Sequence, residues 1–431
     1  MRTYLDGNWR PSSLNRTTDP WDLRSGEAFR GEEKTMGIQI STGHGVRARI
    51  SMMAVITSVL MTACGGGGGG SGSMPSSGGG GGYGGGTPPP SSTTANDYVA
   101  TSLVSDGSVM ATTTDNSLKN PWGIALAPNA AAVVADQVTQ EATSYDGKGV
   151  KQSTVISIPA GLSGAADPTG VVANTTSGFV ISSGSASAPV QYIFDGEGGT
   201  IAGWASSVNA QNAITMYDGG SSGAIYTGLA IATDSSGVTR LYAADFGTGK
   251  VDVFSNTFAK TTVSGGFTDS TLPTGYAPFG IQALTVNGQS LIYVAYAKPT
   301  SQGSRFALTG AGLGLVDVFD TQGTLQTHLI GAGGHLNAPW GIAMAPSNFG
   351  PVSGDLLIGN FGDGTIDAYN PSTGTFVDQL ATTSGMVITN SSLWGIEFGN
   401  GAANQPTNTL YFAAGIGGGM DGLYGSITVA P

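Results

Sequence analysis

One phrase returns six times along this chain and restricts its possible folds more than any other feature. Asn120-Pro121-Trp122-Gly123-Ile124-Ala125-Leu126-Ala127-Pro128 recurs almost whole as Asn337-Ala338-Pro339-Trp340-Gly341-Ile342-Ala343-Met344-Ala345-Pro346. Weaker copies are Asp167-Pro168-Thr169-Gly170-Val171-Val172, Tyr226-Thr227-Gly228-Leu229-Ala230, Ala277-Pro278-Phe279-Gly280-Ile281-Gln282 and Leu393-Trp394-Gly395-Ile396-Glu397-Phe398. Their glycines lie 47 to 61 residues apart. A repeat of that length is one supersecondary unit that buries its apolar face only against its neighbours.

A second phrase follows most copies. In Leu241-Tyr242-Ala243-Ala244-Asp245-Phe246-Gly247-Thr248-Gly249-Lys250-Val251-Asp252-Val253-Phe254 and in Leu356–Tyr369, two short β-rich runs flank a turn of Asp or Asn with Gly. Such turn residues tolerate positive φ and mark hairpins. Val251–Phe254 and Val316–Asp320 alternate apolar and polar residues, the half-buried strand pattern. No segment sustains apolar spacing at i, i+3, i+4, i+7, which excludes helical solenoids. The 335 residues from Asp97 to Pro431 provide about 56 per copy, enough for a four-stranded blade with its loops. The pattern predicts an all-β, six-bladed β-propeller over 97–431. The first strand, Tyr98–Val104, and the last, Gly422–Val429, are expected to complete one sheet and close the ring.

Charge and cysteine narrow the partners. Only 44 of 431 residues are charged, 71 are glycine and one is cysteine. This composition excludes charge-driven disorder, coiled coils, disulfide scaffolds and the usual multi-ligand zinc sites. Beyond Cys64 there are eight Lys or Arg against 22 Asp or Glu, a formal charge of −14. An acidic body repels phosphates, so nucleic acid is not expected as a partner.

The apolar run Ile50–Ala63, preceded by Arg47 and Arg49, is too short to span a bilayer and reads as a secretory signal. Leu60-Met61-Thr62-Ala63-Cys64 resembles a bacterial lipobox, with Met61 where the pattern prefers Leu. That resemblance implies that Cys64 is lipidated and anchors the protein in a membrane. A plain secretory signal and a buried core segment are the competing readings. Residues 1–63 are assigned to an N-terminal extension and lipoprotein signal, with Met36 as an alternative start that gives a conventional signal length. Residues 64–96, rich in Gly, Ser and Pro, cannot offset their ordering entropy and are expected to form a flexible tether. Gly65 rather than Asp after the cysteine points to the outer membrane by resemblance to Gram-negative lipoproteins.

The Asn-Pro-Trp-Gly-Ile-Ala, Tyr-Ala-Ala-Asp-Phe, Gly-Tyr-Ala-Pro-Phe-Gly-Ile-Gln and Gly-Asn-Phe-Gly-Asp-Gly phrases resemble an uncharacterised bacterial family of exported propellers. That family is distantly similar to the NHL and SMP-30-type six-bladed folds. The resemblance implies export and the fold, and no particular activity.

The chemistry is harder to read. His328 and His335 lie in a stretch between blades with no Gly-x-Ser-x-Gly elbow to partner them, and are expected to be solvated or loop-packing. A lactonase of the SMP-30 kind would hold calcium in a central channel, for which Asp136, Asp245, Asn360 and Glu397 are the available oxygen ligands. Asp245 and Asn360 recur at one repeat position before Phe-Gly, which a turn-forming role also explains. Asn360–Asp367 lacks the three alternating carboxylates and terminal Glu of an EF-hand. Trp122, Trp340, Trp394 and Phe279 share one inner-strand position, where they either pack between blades or line a channel mouth and stack on a sugar or other planar ligand. Gly310-Ala311-Gly312-Leu313-Gly314 precedes a strand rather than a helix, so it is no dinucleotide fingerprint. The leading expectation is a lipid-anchored propeller that binds a protein or carbohydrate ligand without a recognisable catalytic set. A metal-dependent lactonase or sugar-directed hydrolase using channel carboxylates, and a structural envelope component, are the alternatives.

Overall fold

The computed structural model describes residues 97–431. The six copies become the inner strands of six antiparallel sheets arranged in a ring. Blade 1 consists of Pro121–Ala125, Ala132–Asp136, Glu141–Tyr145 and Lys151–Ser157; blade 2 of Pro168–Ala173, Tyr192–Gly196, Thr200–Trp204 and Ile214–Asp218. Blade 3 is Tyr226–Thr233, Thr239–Asp245, Lys250–Ser255 and Lys260–Thr261; blade 4 is Ala277–Val286, Gln289–Pro299, Leu315–Asp320 and Leu325–Ile330. Blade 5 is Pro339–Met344, Leu356–Asn360, Ile366–Tyr369 and Phe376–Gln379. Blade 6 takes Leu393–Phe398, Leu410–Ala414 and Leu423–Val429 from the end of the chain and Tyr98–Ser105 from the beginning. The pairing of Tyr98 with Val429 through Ser105 with Leu423 is the predicted closure. The Tyr98 hydroxyl adds a clamp by donating to the Phe349 carbonyl of blade 5 at 2.6 Å.

The period-2 geometry of strands explains why the inner and second strands are apolar on both faces. In blade 4, Ile292 and Val294 face blade 3, while Tyr293 and Ala295 face blade 5. Repeated around the ring, this produces six apolar clusters, one at each interface between neighbouring blades. A seventh, aromatic cluster lies at the centre.

The repeat glycines are needed there for space. An added Cβ at Gly123 would sit 2.8 Å from the Thr169 carbonyl oxygen and the Val171 amide nitrogen, and one at Gly395 would sit 2.6 Å from the Trp122 carbonyl oxygen. Each inner strand therefore meets the backbone of the next blade, and the axis is a packed core.

The assignments for 1–63, the tether 64–96 and Cys64 lie outside the described residues. Among the described residues, no helix is long and apolar enough to cross a membrane.

Candidate functional site

The structure brings the four aromatic candidates together. Trp122, Phe279, Trp340 and Trp394 form one buried cluster with Phe246, each no more than 9% exposed. Trp122 stacks on Trp394 with centroids 3.4 Å apart, and Trp340 stands edge-on to both at 6.0 Å. The Trp340 indole donates to the Thr227 carbonyl at 2.6 Å and the Trp394 indole to Asn120 Oδ1 at 3.1 Å. The ring faces cover one another and close the axis at the end where the inner strands begin.

Further along the axis, past the glycines, come Ile124, Val171, Leu229, Ile281, Ile342 and Ile396, which with Gln282 and Glu397 line a space of about 30 Å³. Beyond them Gln282 of blade 4 donates to Glu397 of blade 6 at 3.1 Å. Desolvation in this apolar setting pushes the Glu397 carboxyl up to about 7, against the Gln282 hydrogen bond.

The other oxygen candidates stand apart, each in its own blade. Asp136, Asp245 and Asn360 end the second strands of blades 1, 3 and 5, opposite Pro121, Tyr226 and Pro339. Asp136 is fully buried and accepts the Thr143 hydroxyl at 2.7 Å; burial raises its carboxyl well above the usual range. Asp245 accepts the Ile225 and Thr248 amides at 3.0 and 3.1 Å and the Thr248 hydroxyl at 2.6 Å. Asn360 accepts the Asn337 amide and donates to Asp367, both at 2.9 Å.

A polar network covers the aromatic end. The hairpin that follows Gln289–Pro299 carries Arg305 from blade 4 to Glu197 and, at 3.3 Å, to Asp167, both of blade 2. Gln137 of blade 1 donates to Glu197 at 3.0 Å, and Gln140 donates to Asp167 at 2.7 Å. Ala307, at the foot of the hairpin, packs on the aromatic cluster. Desolvation holds the Glu197 carboxyl above its ordinary value even with the guanidinium beside it.

The set with metal-binding geometry is elsewhere. Asp317 lies on the third strand of blade 4, directly opposite His328 on the fourth. His328 Nδ1 is 2.6 Å from Asp317 Oδ1 and 3.3 Å from Asp269 Oδ2, the latter on the connection from blade 3. One ligand atom from each of the three falls within 4.8 Å of the others, and among the described residues this is the group of three that could hold a metal ion. Asp317 is fully buried, and besides His328 its carboxylate has the Tyr296 hydroxyl as a neighbour. Burial pushes its carboxyl up to about 6, with His328 opposing. Asp269 sits below its usual value: burial opposes this, but the Thr271 hydroxyl and amide and His328 outweigh it.

Comparison with the neighbouring blades shows what is particular here. Third-strand Asp252 of blade 3 is matched by fourth-strand Lys260, and Asp367 of blade 5 accepts fourth-strand Gln379 at 2.8 Å. One carboxylate and one donor suffice to tie those strands. Blade 4 adds a second carboxylate, Asp269, to an imidazole that already has one.

This corrects two expectations. His328 is a part-exposed strand residue held between two carboxylates, not a loop histidine. The expectation of a binding module without chemistry-bearing residues is overturned by the Asp269–Asp317–His328 cluster, which could hold a metal ion. Sequence reasoning missed the cluster because its members span 60 residues. The Gln322-Gly323 turn does set Asp317 opposite His328, and that signal was legible; nothing local points to Asp269.

The closed ring of antiparallel sheets, with its carboxylate–histidine cluster, defines a six-bladed β-propeller carrying a candidate metal centre. No family model matches the chain. "Uncharacterized protein R648" of Acanthamoeba polyphaga mimivirus is 31% identical over 330 residues, covering 75% of this chain and 78% of that protein. "Uncharacterized protein L690" of the same virus is 30% identical over 331 residues, covering 75% and 84%. The chain belongs to the family of these two proteins. Among solved structures, a streptogramin B lyase matches at 13% identity over 77% of this chain and 98% of that one, with a TM-score of 0.40. A glucose dehydrogenase matches at 12% over 77% and 99%, with a TM-score of 0.43. These two likenesses concern the fold alone, which rests on the strand pairing above.

Proposed function

We propose that this propeller is a metal-dependent enzyme, in which Asp269, Asp317 and His328 hold a divalent cation and the substrate is an ester, lactone or glycoside. The observation that carries the reading is the convergence of two carboxylates and one imidazole, one ligand atom of each lying within 4.8 Å of the others. Three protein ligands with further positions open is the pattern of a catalytic rather than a structural site. The mixed nitrogen and oxygen set suits zinc, manganese or iron(II) better than calcium, which prefers an all-oxygen shell. A cation there would supply Lewis-acid polarisation of the scissile carbonyl or leaving oxygen. Asp317, rigid in its strand, fixes the site from inside the blade. The His328 side chain is 33% exposed, so the site opens to solvent and substrate.

Metal analysis and thermal melting of the full chain test this. Stoichiometric zinc or manganese, or a rise in Tm of several degrees on adding either ion, is expected. Asp317→Asn and His328→Ala should abolish both the shift and any hydrolysis of lactones or aryl esters. No bound metal and no shift with zinc, manganese or calcium would end the reading.

We also infer that the propeller is exported and tethered to a membrane through Cys64. The lipobox-like phrase and the apolar run before it support this. Cys64→Ser should move the protein from the membrane to the aqueous fraction on detergent phase partitioning; unchanged partitioning would refute the anchor.

A further inference from the structure

We infer that the end of the ring opposite the aromatic cluster carries a second site, separate from the blade 4 cluster, for a neutral polyhydroxylated ligand the size of one sugar ring. Where the inner strands of blades 2, 3 and 4 diverge, they leave a half-open cavity of about 220 Å³. A space of this size, open on one side, accommodates a single sugar-sized ring entering by one face. Its polar wall is Thr175, Thr176, Thr233, Thr239, Thr285 and Ser290. Ala173, Ile231, Ala232, Ala283 and Leu284 complete the lining.

The composition of this wall selects the ligand. No ionisable side chain lines the cavity, so a carboxylate, phosphate or ammonium group entering it would lose hydration without gaining a counter-charge. A hydroxyl side chain both donates and accepts, as the hydroxyls of a polyol do, and six of them can satisfy a ring of alternating donors and acceptors. The Thr233 and Thr239 hydroxyls already pair with each other at 2.8 Å across the first two strands of blade 3. Thr176 is oriented by its hydrogen bond to Asn174 Oδ1 at 2.8 Å. Ala283 and Leu284 of this cavity directly follow Gln282, the residue bonded to Glu397, so the site opens at the polar end of the axis.

Saturation-transfer NMR on the full chain tests the assignment, with glucose, galactose, mannose and myo-inositol as probes and glucuronate and glucose 6-phosphate as charged controls. Saturation transfer to at least one neutral probe is expected, at least tenfold stronger in affinity than to its charged counterpart. Thr233→Val with Thr285→Val keeps the side-chain shape and removes two hydroxyls; it should weaken binding at least tenfold with unchanged circular dichroism. If that pair disturbs the fold, Ser290→Ala alone is expected to give a smaller loss of the same sign. EDTA should leave the affinity unchanged, which keeps this result distinct from that of the metal centre. No transfer to any neutral probe, or equal affinity in the valine variant, would overturn the proposal.

Discussion

Gly280→Ala is expected to destabilise the propeller by about 3 kcal/mol, toward the upper end for overpacking in a closed core. The new methyl group would meet the Trp340 carbonyl oxygen and main chain of blade 5. A backbone atom within an inner strand cannot swing aside as the end of a flexible side chain can. Displacing one inner strand also propagates, because each blade abuts the next and the ring has no free edge to absorb the movement. The effect should be graded by geometry. At Gly228 the nearest atoms to an added Cβ are 3.4 Å away, so Gly228→Ala should cost little. Gly334, with nothing within 4 Å, is the control, where alanine should stay within about 0.5 kcal/mol of the parent. Urea unfolding of the three variants decides the matter. Equal midpoints for Gly280→Ala and Gly334→Ala would show that the ring is not packed glycine against backbone.

The second large effect is expected at Arg305. Arg305→Met should cost about 3–5 kcal/mol, the range for removing one partner of a buried ion pair. The loss comes mainly from what remains: Glu197, whose side chain is only 5% exposed, keeps Gln137 but has no cation, and Asp167 also loses its guanidinium contact. Glu197→Gln removes the buried charge while keeping an amide to pair, so it should cost less. The double variant Arg305→Met/Glu197→Gln should recover a large part of the single loss, with a coupling of at least about 1 kcal/mol. Additive costs in a double-mutant cycle would show that the hairpin is held to blade 2 by packing, and that the charges contribute nothing specific.

These two predictions differ in how far the sequence announces them. The glycine ring is written six times in the chain, next to an aromatic residue in four of the copies, because every blade meets the same steric problem at the axis. Arg305 has no such signature: it stands in a Ser-Gln-Gly-Ser-Arg hairpin tip like any exposed turn, and only the curvature of the ring delivers it to Glu197, 108 residues earlier. The aromatic candidates lay between these extremes. Their shared position was legible, and the structure covers their faces with one another. Asp136, Asp245 and Asn360 were legible as one recurring position, and their hydrogen bonds go to their own and adjoining turns and strands.

The sequence by itself determined the number of blades, the strand order within each and the closure of the last sheet by the first strand. Those features follow from local periodicity and from the steric demands of an axis that each repeat meets in the same way. Only the tertiary structure decided where chemistry is concentrated. Asp317 and His328 meet through hairpin register, but Asp269 reaches them on a connection from the preceding blade. A second carboxylate there changes a strand tie of the kind seen in blades 3 and 5 into a three-donor cluster. Repetition records what all six blades share, whereas this site depends on a contact, Asp269 with His328, that blades 3 and 5 do not repeat.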